Sequence, residues 1–346
     1  MNPNTSTPRV AVVGAGSFGS LHIGALSRLH GCELVALCEP NERVAAGLAE
    51  KYGIPRTYTA LDQLLETEEL DAVFLTIPEH LHVGFATKVI NRGIDCFIEK
   101  PLALTAAEGQ QLIDLAAEKQ VILQVGHILR FEAQHAILYD SVVNGALGEV
   151  MTIRAKRNAP SAMWETSGKS AHIAMANLVH DVDQILWMSA GQRAVSIRAY
   201  ERNFTGHEFP DCVVATIEMS GGTLAMVEAS WSVPSGAPAN IVSDQWRGRF
   251  DASLEVVGTT GTGHVQVYES GLEIWGEDAS SAPNSALWPE IHGAIGGALR
   301  DELANFLDRI SGRSAAEIVS LPDAVHGLEI LEAIVESART GTEVRL

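Results

Sequence analysis

Two different hydrophobic periods run along this chain. In the first third, short aliphatic and β-branched runs at residues 9–13, 33–38, 72–77, 95–98 and 121–125 have the composition of fully buried strands. Between them, residues 20–29, 81–92 and 106–119 carry apolar positions at helical spacing. Strands that alternate with helices in this way predict a parallel sheet covered on both faces. In such a sheet every strand ends on the same rim, and ligands bind there. Gly14, Glu39, the turn Thr76-Ile77-Pro78-Glu79-His80, Glu99-Lys100-Pro101 and Gly126-His127 all fall on that rim.

Beyond residue 125 the period changes. A polar and aromatic segment, 126–131, leads into a helix near 135–144, and residues 150–156, 195–200, 211–219, 223–231 and 254–257 alternate apolar with polar as half-buried strands do. Gly221-Gly222 marks a hairpin turn, and residues 173–188 return to a helical period. The expectation is an α/β chain of two domains. Residues 1–125 form an N-terminal Rossmann domain with a doubly wound parallel sheet. Residues 126–346 form a C-terminal α+β domain with a large, open, mostly antiparallel sheet carrying helices on one side. The bare sheet face would need a cover, so a homodimer or homotetramer through that sheet is expected.

Composition narrows the function classes. With 24 basic and 43 acidic residues the net charge is -19, and the overall field would repel a nucleic-acid backbone. The 46% hydrophobic content supplies substantial cores over 346 residues, enough for two domains. Cys32, Cys38, Cys96 and Cys212 form no C-x-x-C pair and read as buried thiols. Residues 1–8 are polar with no basic-then-apolar leader, and no apolar run reaches a membrane span, so a cytoplasmic protein acting on small molecules is expected.

The chemistry begins where the first strand runs into Gly14-Ala15-Gly16-Ser17-Phe18-Gly19. In G-x-G-x-x-G, the first glycine permits the tight turn, the second lets backbone approach a pyrophosphate, and the third lets the helix pack on the strand. The helix N-terminus then faces the phosphates. Glu39 ends the second strand twenty residues after Gly19. An acid there accepts hydrogen bonds from the adenosine ribose and repels a 2′-phosphate, which favours NAD over NADP, although Arg43 lies close by.

Two further groups are candidates for acid–base work. Lys100 stands at the mouth of a buried strand, where desolvation lowers a lysine pKa and the neighbouring Glu99 raises it. His180 lies on the 173–188 helix, with Asn177, Asp183 and Gln184 at spacings that share its face. Asn177 or Asp183 would then set its tautomer. His180, Asp181 and Asp183 do not make a metal site, because adjacent residues point to different faces and no further ligand set is evident. His82, after the Thr76-Ile77-Pro78 turn, is a candidate for the nicotinamide side of the crevice.

The order and spacing of these blocks resemble the glucose-fructose oxidoreductase, inositol dehydrogenase and rhizopine-catabolism family, Gfo/Idh/MocA, over nearly the whole chain. The residues that carry the resemblance are Gly14 to Gly19, Thr76-Ile77-Pro78 with His82, Glu99-Lys100-Pro101, His180-Asp181-Val182-Asp183, and Leu254-Glu255-Val256-Val257-Gly258-Thr259 with Gly261. The resemblance implies an NAD-dependent dehydrogenase that moves a hydride between nicotinamide and a secondary alcohol of a sugar, cyclic polyol or nucleotide sugar. Lys100 then matches the lysine on the reacting oxygen and His180 the acid–base histidine, with Glu99, Asn177 and Asp183 in support. The expected cofactor contacts are Gly14, Gly16, Ser17, Phe18, Gly19, Glu39, Thr76, Pro78, His82, Glu99 and Lys100. Candidate substrate contacts are His127, Arg130, Arg157, Asn158, Trp164, Lys169 and His172. One departure stands out: Ala176 occupies the position, four residues before His180, where many family dehydrogenases carry an aspartate. Asn177 cannot replace it as a proton acceptor. Two rival readings therefore stay open, a glycosidase that uses bound NAD transiently and an NAD-binding sensor without turnover.

Overall fold

The computed structural model describes residues 7–165, 168, 172–242, 247–269, 271–276, 280–313 and 316–346. By contacts the chain divides into two compact units, residues 1–131 with 287–325, and residues 132–286 with 326–346. The boundary at 125/126 expected from the sequence therefore follows chain order, whereas residues 287–325 pack with the first unit.

In the first unit, β1 (Arg9–Val13), β2 (Glu33–Cys38), β3 (Arg56–Tyr58), β4 (Ala72–Leu75), β5 (Asp95–Glu99) and β6 (Leu123–Gly126) form a parallel sheet in the order β3-β2-β1-β4-β5-β6. That is the strand order of a dinucleotide-binding fold, whose topological switch lies between β1 and β4. Helices α1 (Ser17–Leu26), α2 (Glu42–Tyr52), α3 (Leu61–Thr67), α4 (His82–Asn91) and α5 (Ala106–Lys119) connect the strands. The α5 bounds match the sequence reading because Thr105 and Glu108 form a reciprocal capping box. By contrast, α1 starts at Ser17 rather than residue 20, since exposed Gly16 already serves as its N-cap.

The returning segment completes this core. Phe306, on the helix Gly297–Ile310, meets Phe74 of β4 and Phe97 of β5 edge-on, with ring centroids 5.3 Å and 5.7 Å away. Burying one such ring contributes about 1.5–3 kcal/mol. The same segment is tied down by Arg309, which donates to the Gln124 side chain at 2.7 Å, and by Arg130, which donates to the Ile318 carbonyl at 3.0 Å.

The second unit holds α6 (Ala133–Val143), β7 (Val150–Pro160), α7 (Val179–Met188), β8 (Ala194–Arg202), β9 (Cys212–Met219), β10 (Leu224–Val233), the short pair β11 (Ile241–Val242) and β12 (Arg247–Gly248), β13 (Asp251–Gly258) and β14 (Thr262–Val267). Its main sheet runs β14-β13-β7-β10-β9-β8 and ends on the terminal strand Val344–Arg345. Only the β7–β10 pairing is parallel. Along β9 and β10, Val213, Ala215, Ile217, Met219, Ala225, Val227, Ala229 and Trp231 are buried. Most of the intervening residues are exposed, Ser230 being buried, and Tyr200, Val214, Leu224 and Met226 lie exposed on the other side. The helix Leu321–Thr340 meets β8 through polar groups, as His326 Nε2 and Ser337 Oγ accept the Ala194 and Ala199 backbone N–H groups at 3.0 Å.

Two local expectations need correction. Residues 174–178 form a π-helical turn immediately before α7, so spacing across it is not that of a regular α-helix. Of the four thiols, Cys38 and Cys96 are buried, whereas Cys32 and Cys212 are only half-buried. Burial still pushes Cys32 and Cys38 up to about 11, so neither is a reactive thiolate at neutral pH. Among the described residues, no helix is long and apolar enough to cross a membrane.

Candidate active site

The glycine loop is built by close backbone approach. Gly14 has φ +94° and donates its N–H to the Cys38 carbonyl at 2.8 Å; a Cβ there would come within 2.6 Å of the Thr76 carbonyl oxygen. Thr76 closes the switch from the other side, its hydroxyl donating to the Gly14 carbonyl at 2.8 Å. Gly19 is packed so tightly that a Cβ would lie 2.4 Å from the Gly14 oxygen. Gly16 is the opposite case. It is exposed at the N-terminus of α1, and no heavy atom lies within 4 Å of where its Cβ would be. No acidic residue stands in the first turn of α1. This is the open, donor-rich cradle that a pyrophosphate fits.

Glu39 is fixed at the end of β2. Its carboxylate accepts the Ala15 N–H at 2.9 Å and the Asn41 N–H at 3.0 Å, which places it beside the glycine loop. Half-buried Phe18 meets Trp288 of the returning segment edge-on at 5.5 Å.

At the end of β5, Glu99 is buried and Lys100 half-buried, and the Lys100–Pro101 peptide is cis. Glu99 accepts the Lys100 backbone N–H at 3.2 Å, while its other oxygen lies 2.9 Å from His22 Nε2. Pro78 precedes a short 3₁₀ turn, Glu79–Leu81, that leads into His82. The His82 side chain is buried rather than open: Nδ1 lies 2.7 Å from the Pro101 carbonyl and Nε2 3.0 Å from the Ile77 carbonyl. It ties together the two rim turns after β4 and β5. Burial pulls its pKa below the ordinary histidine value, against an upward pull from the two carbonyls.

Two of the expected substrate residues lie in this unit, both buried. His127 follows β6, and Arg130 bonds the Ile318 carbonyl and lies 3.7 Å from Asp323.

In the second unit, half-buried His180 stands on α7, directly after the π-helical turn that holds buried Asn177. Asp183 is buried and accepts from the Gln184 amide at 3.3 Å. Arg157 makes a bidentate pair with Asp181, both buried, and a further hydrogen bond to half-buried Tyr268. Asn158, beside it, donates to Glu228 and accepts from Ser230. His172 starts the π/α helix: its Nδ1 accepts the Ala174 N–H at 3.1 Å, so Nε2 carries the proton and donates to Glu201 at 3.0 Å. Trp164 is buried and stacked on His207 at 4.1 Å. Lys169 lies outside the described residues. Among the described residues, no group of three or more His, Cys, Asp or Glu side chains is arranged to hold a metal ion.

Two residues at the first rim escape a reading of the sequence. His22 is a histidine on an apolar helix, and only the sheet order brings it to Glu99. Trp288 is far from Phe18 in the chain, and no local pattern announces the contact.

A dinucleotide-binding sheet with a lysine on its ligand rim, continued by a mixed-sheet unit, defines the class: a nucleotide-binding protein of two units. Residues 8–127 match the family described as "Oxidoreductase family, NAD-binding Rossmann fold", and residues 140–346 match "Oxidoreductase family, C-terminal alpha/beta domain". The chain belongs to this Gfo/Idh/MocA oxidoreductase family. It is 27% identical over 336 residues to the rhizopine catabolism protein MocA of Rhizobium meliloti, covering 95% of this chain and 94% of that one. It is also 27% identical over 333 residues to the UDP-N-acetylglucosamine 3-dehydrogenase of Acidithiobacillus ferrooxidans, covering 95% of each. A solved structure, GenD2 from gentamicin A biosynthesis in complex with NAD, superimposes with a TM-score of 0.84 at 25% identity, over 99% of this chain and 97% of that one.

Proposed function

We propose that this protein is an NAD-dependent dehydrogenase acting on a secondary alcohol of a sugar, cyclic polyol or nucleotide sugar. The observation that carries the reading is the open cradle at Gly16 on the same sheet rim as Lys100, at the ends of β1 and β5. Bound NAD supplies the hydride acceptor. The protein must then deal with the alcohol proton and with the negative charge that builds on the carbinol oxygen as hydride leaves carbon. Lys100 is assigned the oxygen, where an ammonium donates a hydrogen bond that strengthens as the charge develops. His180 is assigned the proton. Glu39 selects NAD by accepting ribose hydroxyls and repelling a 2′-phosphate. Arg130 and Arg157, whose guanidiniums are engaged within their own units, are proposed as braces rather than as sugar contacts. The relatives support the substrate class, since they include a UDP-sugar dehydrogenase and a rhizopine-catabolism protein. A homo-oligomer through the outer sheet face, with Tyr200, Val214, Leu224 and Met226 exposed on it, belongs to the same proposal.

The test is a screen of sugars, inositols, sugar acids and nucleotide sugars for NADH formation, repeated with Lys100→Ala. The variant is expected to bind NADH as the parent does and to lose turnover by about two orders of magnitude or more, the scale of one oxyanion donor. Undiminished turnover would remove Lys100 from the reaction. Tighter binding of NADPH than of NADH would overturn the role of Glu39.

A further inference from the structure

His22 takes no part in the reaction as proposed, yet it is the most enclosed ionisable group on the ligand rim. It lies in the second turn of α1 with no exposed surface, between the rings of Phe18 and Phe97 at 5.2 Å and 5.6 Å. Its Nε2 is 2.9 Å from Glu99 Oε1. A carboxylate can only accept, so Nε2 carries the proton and donates it into the hydrogen bond. The opposite side of the carboxylate is closed by β6. Gly126 pairs with Glu99 across the sheet, and a Cβ on Gly126 would lie 2.8 Å from Oε1. The remaining oxygen accepts the backbone N–H of Lys100. Imidazole, glycine and lysine backbone together fix where a buried carboxylate sits, and that carboxylate fixes the end of the strand from which Lys100 projects. A buried carboxylate deprived of such a donor pays its desolvation cost and seeks water or another partner.

We propose that His22 is a positioning residue: through Glu99 it holds the Lys100 backbone, and it links the helix of the glycine loop to the strand of the catalytic lysine. The inference rests on the proposed role of Lys100 at the reacting oxygen. It requires that loss of the imidazole donor appear in the chemical step rather than in binding. Gln places its amide nitrogen near the position of Nε2 and can donate the same hydrogen bond, whereas Leu fills the space without donating.

The experiment is steady-state kinetics on the substrate found by the screen, with NADH titration and thermal unfolding of the same variants. In His22→Leu, kcat is expected to fall about 10- to 100-fold, with KM and the NADH dissociation constant within about threefold of the parent. His22→Gln should recover kcat to within about threefold of the parent. Gly126→Ala, which displaces the carboxylate from the other side with His22 intact, should reproduce the kcat loss and keeps the idea testable if the Leu variant folds poorly. In a Lys100→Met background, His22→Leu should add no further loss, because the group it positions is already gone. Parent-like kcat in His22→Leu or in Gly126→Ala would overturn the proposal. So would a Gln variant that folds and is as impaired as Leu, or losses shared equally by kcat, KM and NADH affinity, which would make His22 a packing residue. Turnover retained by Lys100→Met would instead bring down the assignment of Lys100, and the two failures are thereby separable.

Discussion

Arg157 grips both carboxylate oxygens of Asp181, Nε to Oδ2 at 2.7 Å and Nη2 to Oδ1 at 3.1 Å, and its remaining Nη1 donates to the Tyr268 hydroxyl at 2.9 Å. Asp181 directly follows His180 on α7, so this contact anchors the helix of the proposed acid–base histidine to β7. Burial alone would lower the guanidinium pKa, but the Asp181 carboxylate and the hydrogen bond to the Tyr268 hydroxyl hold it above its ordinary value; at Asp181 burial pushes the carboxyl pKa up, against the downward pull of Arg157.

Removing one partner of this pair strands a buried charge. Arg157→Met is expected to destabilise the protein by roughly 3–5 kcal/mol, and Arg157→Lys to be nearly as damaging, since an ammonium cannot reproduce the two-pronged geometry. The double variant Arg157→Met/Asp181→Leu should recover most of the loss, because no unpaired charge remains. Urea unfolding followed by circular dichroism measures all three. Parent-like stability in Arg157→Lys would show that charge alone, rather than the fork, holds α7.

The sequence reveals the parts of this architecture that are local. From β1 through Gly19 to Glu39, a buried run, a glycine spacing and an acid at a fixed distance each report on their own neighbourhood, and the structure has them where the spacing puts them. What the sequence hides is set by distance. Phe306 is an ordinary residue of an amphipathic helix until it packs on Phe74 and Phe97, which draws residues 287–325 to the first unit. Arg130 and Arg157 read from the sequence as candidate sugar contacts; what it does not report is that both are buried, with a carbonyl and a carboxylate from remote segments as partners. The π-helical turn at 174–178 changes the phase just before His180, and no hydrophobic period reports it.

His82 makes stability depend on pH in a definite direction. Burial lowers its pKa in the folded protein, outweighing the two carbonyl contacts that raise it. Between the unfolded value, about 6.5, and the lower folded value, the unfolded chain binds more protons, so stability is lost as pH falls through that window. His82→Gln cannot titrate. The stability advantage of the parent over this variant should therefore shrink as pH drops from 7.5 to 5.5, by no more than about 1.4 kcal/mol per unit for a single proton. Denaturant unfolding of both proteins across that range gives the difference directly. An advantage that grows on acidification would mean that the imidazolium, satisfied by both carbonyls, is the native form.

The outer face of the second sheet offers a separate test. Val214 is exposed and stands opposite Tyr200 on β8 and Glu228 on β10, and Met226 lies nearby on β10. If copies of the chain associate through this face, Val214→Glu places a second carboxylate against Glu228 within the interface, where like charges cost most. Light scattering on the parent should give a dimer or tetramer mass, and the variant should dissociate at least about tenfold more readily on dilution, a loss of about 1.4 kcal/mol. An unchanged mass distribution would remove this face from the assembly.

Gly16 and Gly19 are two glycines of one motif, and the geometry separates what each is for. At Gly19 a Cβ collides with the Gly14 carbonyl at 2.4 Å and the Thr76 hydroxyl at 2.7 Å, both held by the sheet switch. Gly19→Ala must therefore displace backbone even in the free protein, at about 1–3 kcal/mol of stability, and it carries the helix away from the phosphates as it does so. At Gly16 the same methyl meets nothing within 4 Å, and φ of -63° suits any residue. Gly16→Ala should then leave the unfolding temperature of the free protein nearly unchanged while weakening NADH binding by about tenfold or more, since the methyl fills the space through which a pyrophosphate approaches the backbone. Differential scanning fluorimetry without cofactor, paired with NADH fluorescence titration, separates the two outcomes. Full NADH affinity in Gly16→Ala would mean that the cofactor does not lie against this cradle, and the reading of the first unit would have to be rebuilt from Lys100 outward.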